Sequence, residues 1–295
     1  MASLIMLIGL PGSGKSTYAK EYLSAHAEHT VWCSSDSIRK ELYGDENIQG
    51  NASTVFSRLH NDVARHLRTG YDVLYDATNV NRKSRKTVIA LAKSIGAQVR
   101  GVVVWATPTE CITRDAARER TVGSLVIDKF IRRWESPYFD EGFDALSIHY
   151  TSEVDGDTYA NMLLTEMDID HDNPHHQLNV LQHCLEGSQL SCERFKNPLI
   201  SFVMKWHDCG KPYTKFFKPE NPTHAHYYNH QNVGGYLIYG LWNGDSTETY
   251  PDPLLSSWCV TNHMDPYFNT KYYQNLSPDL KTLIDSIHSC DVDAH

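Results

Sequence analysis

The stretch Gly9-Leu10-Pro11-Gly12-Ser13-Gly14-Lys15-Ser16-Thr17 decides how the first half of the chain is read. It satisfies G-x-x-x-x-G-K-[ST], and both flanks supply the context that such a loop requires. The apolar run Leu4-Ile5-Met6-Leu7-Ile8 before it reads as a buried strand, and Tyr18-Ala19-Lys20-Glu21-Tyr22-Leu23 after it reads as a helix. The glycines let the backbone wrap so that several N–H groups point at phosphate oxygens, and the helix N-terminus adds partial positive charge. In that arrangement Lys15 reaches the β- and γ-phosphates of ATP or another nucleoside triphosphate, and Ser16 holds Mg²⁺. Gly12, Ser13, Gly14 and Thr17 complete the expected nucleotide-binding set.

Outward from this loop, strands and helices alternate. Thr30-Val31-Trp32-Cys33 reads as a short strand that ends at Ser34-Ser35-Asp36-Ser37-Ile38-Arg39, where a helix begins. In an open parallel sheet, residues just past the carboxyl ends of strands line the ligand crevice, so Asp36 and Arg39 are placed to face the loop. A plain helix N-cap is the other role open to Asp36. Residues 52–69 carry Val55, Leu59, Val63 and Leu67 at helical period. Asp72-Val73-Leu74-Tyr75 is a strand running into Asp76-Ala77-Thr78-Asn79, with Arg82 and Arg85 opening the next helix, and Gln98 to Trp105 is a valine-rich buried strand. Arg114 and Arg118, four apart, share a helix face. With Arg120 they suit a lid over polyphosphate, a solvated basic face being the plainer alternative. The alternation predicts a doubly wound α/β domain, a parallel sheet with helices on both faces.

A chain of 295 residues leaves room for two domains. No apolar run approaches the roughly 18 residues needed to span a membrane, and with a strand entered at once no signal peptide is expected. Seven cysteines without a C-x-x-C pair fit reduced thiols and a cytoplasmic location (the host's, for a phage-encoded chain). The net charge of −9 conceals a split: residues 1–152 carry +2, while residues 153–295 carry −11 and 11 of the 16 histidines. Glu153, Asp155, Gly156, Asp157, Asp168, Asp170 and Asp172, ending at Asn173-Pro174, mark a boundary, with Tyr159-Ala160-Asn161-Met162-Leu163-Leu164 within it open to forming a short packed element. The expected division is a first domain at 1–152, a linker at 153–172 and a second domain at 173–295.

The set Gly9–Thr17, Asp36-x-x-Arg39, Asp76-x-Thr78-Asn79 with Arg85, and Arg114-x-x-x-Arg118 resembles phage-type 5′-polynucleotide kinases over roughly residues 1–150. The resemblance implies that Asp36 is the general base for a 5′-hydroxyl and that Arg39 binds the adjoining nucleotide's 3′-phosphate. It further implies that Asp76 and Thr78 border the acceptor pocket with Arg85, and that Arg118 stabilises charge on the transferring group, with Arg120 in support. The chemistry agrees, because phosphoryl transfer rests on positioning, Mg²⁺ and charge neutralisation. An Asp of ordinary pKa is ionised at neutral pH and able to accept the proton.

From Pro174 onward the chain reads as mostly helical, with Leu178, Leu181 and Leu185, then Ile200, Val203 and Met204, at helical spacing. Ligand-type residues recur on it: His183, His207-Asp208, His226, His230, His263 and Asp291. This order, and above all His207-Asp208-Cys209-Gly210-Lys211, resembles the HD superfamily of metal-dependent phosphohydrolases, and so an all-α HD domain is expected. The resemblance implies a first metal on His183, His207, Asp208 and Asp291 and a second on His230 and His263, with Lys211 facing a substrate phosphate. His176 competes with His183, and Asp285 and Asp293 are fallbacks for Asp291. Imidazole and carboxylate ligands suit Mn²⁺, Ni²⁺, Co²⁺, Fe or Zn²⁺.

Together the halves lead us to expect an end-healing enzyme acting on RNA or DNA ends. The first half would phosphorylate 5′-hydroxyls, the second would remove a 3′-phosphate or 2′,3′-cyclic phosphate, and a ligase would act downstream. A small-molecule kinase fused to a nucleotide phosphohydrolase is the main alternative, and a nucleotide-sensing regulator with a degenerate HD half is a third.

Overall fold

The computed structural model describes residues 2–45, 48, 50–119, 121–173, 177–244 and 250–294. The chain forms two compact units, Met1–Phe130 with Pro137–Ser152, and Ile131–Ser136 with Glu153–His295.

The first unit alternates strands and helices: β1 (Ser3–Ile8), α1 (Lys15–His26), β2 (Thr30–Ser34), α2 (Ser35–Tyr43), α3 (Ala52–Arg68), β3 (Asp72–Asp76), α4 (Arg82–Ser94), β4 (Gln98–Trp105), α5 (Pro108–Ala116), α6 (Ser124–Ile131) and β5 (Ala145–Tyr150). The five strands form one parallel sheet in the order β2-β3-β1-β4-β5, with Leu7 of β1 level with Asp76 of β3. Ile5 and Leu7 point to one face of β1 and cluster with Leu74, Val102, Val104 and Ala19 of α1. Leu4, Met6 and Ile8 point to the other face and are buried as well, so both faces of the sheet are covered. The Val55, Leu59, Val63 and Leu67 stripe of α3 is buried, as its period demands.

The second unit is helical apart from a two-stranded antiparallel hairpin. Its elements are α7 (Gly156–Met167), α8 (Val180–Phe195), α9 (Pro198–Trp206), α10 (Lys211–Thr214), β6 (Phe216–Lys218), β7 (Asn221–His226), α11 (His230–Leu237), α12 (Pro253–Asn262), α13 (Asp265–Phe268), α14 (Lys271–Gln274) and α15 (Pro278–Asp293). Local sequence starts the long ones: Asn197, Asp252 and Ser277 cap α9, α12 and α15, each with Pro early in the first turn. Trp206, Trp258, Tyr236 and Tyr239 are fully buried in its core.

Residues 153–172, expected as a linker, contribute α7 to this unit, capped by Asp155 and burying Tyr159, Leu163 and Met167. Residues 131–136, expected with the first domain, also belong here. Trp134 packs edge-on against Tyr236 at 5.0 Å, and Ser136 Oγ is linked to the hydroxyls of Ser257 and Thr261 at 2.6 Å each. Among the described residues no helix is long and apolar enough to cross a membrane.

Candidate active sites

The loop after β1 leaves the sheet where the strand order reverses, between β3 and β4. Gly12 and Gly14 hold φ of +81° and +94°, and a Cβ on Gly12 would fall 2.2 Å from the Cys111 carbonyl oxygen. The Gly9 amide donates to the Thr78 carbonyl at 3.0 Å. Lys15 opens α1 and turns into the loop, its Nζ donating to the carbonyls of Gly9 (3.0 Å) and Leu10 (2.7 Å). Ser16 and Thr17 follow in the first turn of α1. Thr151 Oγ1, just past β5, donates to the Ser13 carbonyl at 2.8 Å and accepts from Arg114 Nη1 at 3.0 Å.

The charged residues gather at this loop. Burial pushes the Lys15 ammonium below its ordinary range; Asp76 and Asp36 oppose that shift and Arg118 adds to it, so all three lie within electrostatic reach. Asp76 is buried at the end of β3, and burial pushes its carboxyl up while Lys15 and a hydrogen bond from Ser16 pull it back. Asp36 does not cap α2, because Ser34 Oγ accepts from the Ser37 amide at 3.0 Å. Instead Asp36 stands 54% exposed, and its Oδ1 accepts from Arg39 Nη1 at 2.8 Å. Arg118 lies in an exposed turn after α5, within a loop held by the buried Asp115 carboxylate, whose Oδ2 accepts from the amides of Val122 and Gly123.

Arg85 is a correction to the expected substrate set. It is fully buried, with Nε and Nη2 donating to the two oxygens of Glu141 at 2.8 and 2.5 Å and Nη1 donating to the Asn79 carbonyl at 3.0 Å. No donor face of that guanidinium is turned to a ligand. It fixes the Asp76–Asn79 turn, in which Asn79 takes φ 52° and donates from Nδ2 to the Leu7 carbonyl at 2.7 Å. Arg114 is also not without an acidic neighbour, since Glu110 lies 3.6 Å away. Arg120 lies outside the described residues.

In the second unit, helix ends deliver the ligand-type residues: His183 from α8, His207 and Asp208 after α9, His230 at the start of α11, His263 after α12 and Asp291 on α15. Each imidazole donates Nδ1–H to a backbone carbonyl, of Ala294 (2.9 Å), Met204 (2.8 Å), Tyr227 (2.8 Å) and Val260 (2.7 Å) respectively. That contact fixes the tautomer and turns every Nε2 inward. The four Nε2 atoms stand 3.7, 3.3, 3.2 and 3.9 Å from the Asp208 carboxylate oxygens. Asp291 Oδ1 is 3.0 Å from His183 and 3.2 Å from His207.

The donor set fits divalent cations. It forms two groups that share Asp208: His183 and His207 with Asp208, and His230 and His263 with Asp208. His230 and His263 bring their Nε2 atoms within 3.2 Å of each other. With Nδ1 protonated on both, these are two opposed lone pairs, an arrangement that a cation between them and Asp208 satisfies. Burial opposes charge on Asp208, yet His207 and Lys211 hold its carboxyl well below the usual range, and His183 and His207 do the same for Asp291. Burial, with His207 and His230 beside it, pushes His263 down to about 3, so it stays neutral and ligand-ready.

Lys211 was expected to face a substrate phosphate. It is buried instead, with Nζ 2.6 Å from Asp208 Oδ2 and 3.1 Å from His171 Nε2. The fallbacks for Asp291 are engaged elsewhere, Asp285 by the Tyr273 hydroxyl and Asp293 by Arg194 at 2.7 Å. His226 lies on the hairpin, and His176 lies outside the described residues. Sequence reading missed Glu141, Thr151, His171 and Tyr267, whose hydroxyl donates to Asp291 Oδ2 at 2.9 Å. No motif spacing links any of them to its partner.

The first unit has a P-loop kinase-like fold, followed by a helical region that carries the His/Asp cluster. Residues 4–137 match the family described as an AAA domain. A stretch of 166 residues is 30% identical to transcription factor bHLH140 of Arabidopsis thaliana, a match that takes in 54% of this chain and 17% of that protein. The chain therefore spans a small fraction of that relative's length. Among solved structures, a chain of the Pnkp1/Rnl/Hen1 RNA repair complex is 20% identical over 45% of this chain and 43% of its own, with a TM-score of 0.41. The Mycobacterium tuberculosis APS kinase CysC is 16% identical over 56% and 96%, with a TM-score of 0.38.

Proposed function

We propose that the chain is a bifunctional end-healing enzyme, a polynucleotide 5′-hydroxyl kinase joined to an HD-type phosphohydrolase. The observation that carries this reading is that one chain joins a P-loop with an exposed acid–arginine pair near it to a buried cluster of four imidazoles and two carboxylates. In the first unit, Lys15 and the loop amides hold the triphosphate. Asp36 takes the proton of the 5′-hydroxyl as its oxygen attacks the γ-phosphorus and the nucleoside diphosphate departs. Arg39 orients Asp36 and meets the acceptor's phosphate, while Arg118 neutralises charge on the group in flight. Ser16, with Asp76 beside it, would hold Mg²⁺, which would add charge neutralisation at the triphosphate. This gives Asp76 a place at the triphosphate as well as at the border of the acceptor pocket with Thr78.

In the second unit, His183, His207, Asp208 and Asp291 would hold one divalent transition metal, and His230 and His263 together with Asp208 would hold a second. Such metals supply an activated water and polarise a phosphoryl oxygen, so no side-chain nucleophile is required. Lys211 keeps Asp208 ionised, and the helix-end carbonyls keep each Nε2 free for coordination.

The test is an end-labelling assay on a 5′-hydroxyl oligoribonucleotide carrying a 2′,3′-cyclic phosphate, with ATP, Mg²⁺ and Mn²⁺ or Ni²⁺. A new 5′-phosphate and a freed 3′ end support the reading. Lys15→Ala abolishes the first product alone and Asp208→Ala the second alone; loss of both from either folded variant overturns the two-site assignment. The −11 charge of residues 153–295 favours a second reading, in which the substrates are small nucleotides. Phosphorylation of nucleosides but not of oligonucleotides, with no salt-dependent oligonucleotide binding, selects it.

A further inference from the structure

The β6–β7 hairpin carries a surface that none of the roles above uses. Phe216, Phe217 and Tyr228 are 38%, 43% and 56% exposed. Rings of Phe216, His226 and Tyr228 form one contiguous group, with centroids 5.4 Å apart for Phe216–His226, 5.3 Å for Phe216–Tyr228 and 5.6 Å for His226–Tyr228. His224 extends it, 5.2 Å from His226. Ammonium groups flank the rings: Lys218 Nζ lies 5.9 Å from Tyr228 and Lys215 Nζ 6.0 Å from Phe217. Exposed aromatic faces cost solvation and are kept where something covers them.

The patch adjoins, at His224, a cleft of about 570 Å³ that is lined also by Asp170, His171, Asp172 and Thr223. His171 at its inner wall contacts Lys211, which contacts Asp208. The same strand continues into Tyr227 and His230, whose Nδ1 donates to the Tyr227 carbonyl.

We propose that the hairpin is a stacking platform for the 3′-terminal nucleotides of a single-stranded nucleic acid whose end enters the second unit's site. Nucleobases stack on Phe216, His226 and Tyr228, and the backbone phosphates meet Lys218, while Lys215 is held by Asp172 at 2.6 Å. Stacked rings with a lysine beside them suit bases joined by phosphates, and they accept any base because each has a π-face. A few rings at one end of the hairpin suit a terminal segment of about one to three nucleotides rather than a long stretch of chain. The proposal rests on the phosphohydrolase reading above and adds how that site selects a polymer end.

The experiment compares the full chain with Phe216→Ala/Tyr228→Ala, in Mn²⁺, on two substrates: an oligoribonucleotide 2′,3′-cyclic phosphate and bis(p-nitrophenyl) phosphate. Base stacking removed by alanine predicts a rise in oligonucleotide KM of about tenfold or more, with hydrolysis of the small ester intact and Phe216→Trp restoring affinity. Anisotropy of a labelled oligonucleotide in chelator shows the same weakening without metal. Equal KM and equal binding in chain and variant overturn the platform while the phosphohydrolase reading stands, and assign the rings to a protein partner. An unaltered chain that cleaves the ester but no oligonucleotide overturns the end-healing reading and the platform together.

Discussion

At the scale of single residues, the informative contrast is between Asp36 and Arg85, which motif reading places together. Asp36 is exposed and paired with its neighbour Arg39, a poise that suits a group that must exchange protons with a ligand. Arg85 is sealed in a bidentate pair with Glu141, 56 residues away. Truncating one partner of such a pair leaves the other charge buried and unmatched. Arg85→Ala is therefore expected to cost about 3–5 kcal/mol, read as a fall in the urea midpoint. Arg85→Lys recovers little of it, because an ammonium cannot form the two parallel bonds. A substrate-binding role would show the reverse: intact stability and a raised acceptor KM.

At the scale of elements, both candidate sites are made by element ends. The phosphate loop is the end of β1, but its shape depends on α5 and on the residue after β5. Arg114 grips Thr151, which donates to the Ser13 carbonyl, and a Cβ on Gly14 would touch the Thr151 side chain at 3.1 Å. Thr151→Val keeps the volume and removes the hydroxyl. It is expected to raise the KM for ATP several-fold while costing about 1 kcal/mol of stability, checked by nucleotide titration against thermal unfolding. The helix ends of the second unit act likewise, since each histidine is oriented by a backbone carbonyl at or near the end of a helix or strand.

At the scale of the whole molecule, the cluster proposed to hold transition metals belongs to one unit and the phosphate loop to the other. A cation that binds the folded state alone stabilises it by RT ln(1 + [L]/Kd), about 2.7 kcal/mol at a hundredfold excess over Kd. Chelation is therefore expected to lower the melting temperature of the transition that includes the second unit, and Asp208→Ala to lower it further, because it also leaves the buried Lys211 unmatched, and to make it insensitive to chelator. The pH sense follows from the ligands. Asp208 and Asp291 are held below the usual range and stay ionised, so protonation of imidazoles releases the cation. Stabilisation by Mn²⁺ is expected to be larger at pH 7.5 than in mild acid, because the ligating imidazoles must be neutral, seen by scanning calorimetry.

Much of this molecule is legible in one dimension. A phosphate loop is contiguous because its amides must follow one another around one group of anions, so Gly12, Gly14, Lys15 and Ser16 declare themselves, and the strands on either side follow from their apolar runs. His207-Asp208 is contiguous for a similar reason, two ligand-type residues on one turn. Weaker patterns do not carry: β5 is six half-exposed residues at a sheet edge, and the acidic, Gly-containing start of α7 has the composition of a linker although its Tyr159, Leu163 and Met167 stripe is buried. The sequence alone thus determined the loop, the parallel α/β domain and the residue types of the metal-type cluster. Only tertiary structure decided that Arg85 serves Glu141, that Thr151 braces the loop, that Asp291 rather than Asp285 or Asp293 reaches the histidines, and that residues 131–136 belong to the second unit. Those pairings join groups tens of residues apart whose partners are set by packing, and no local period records them.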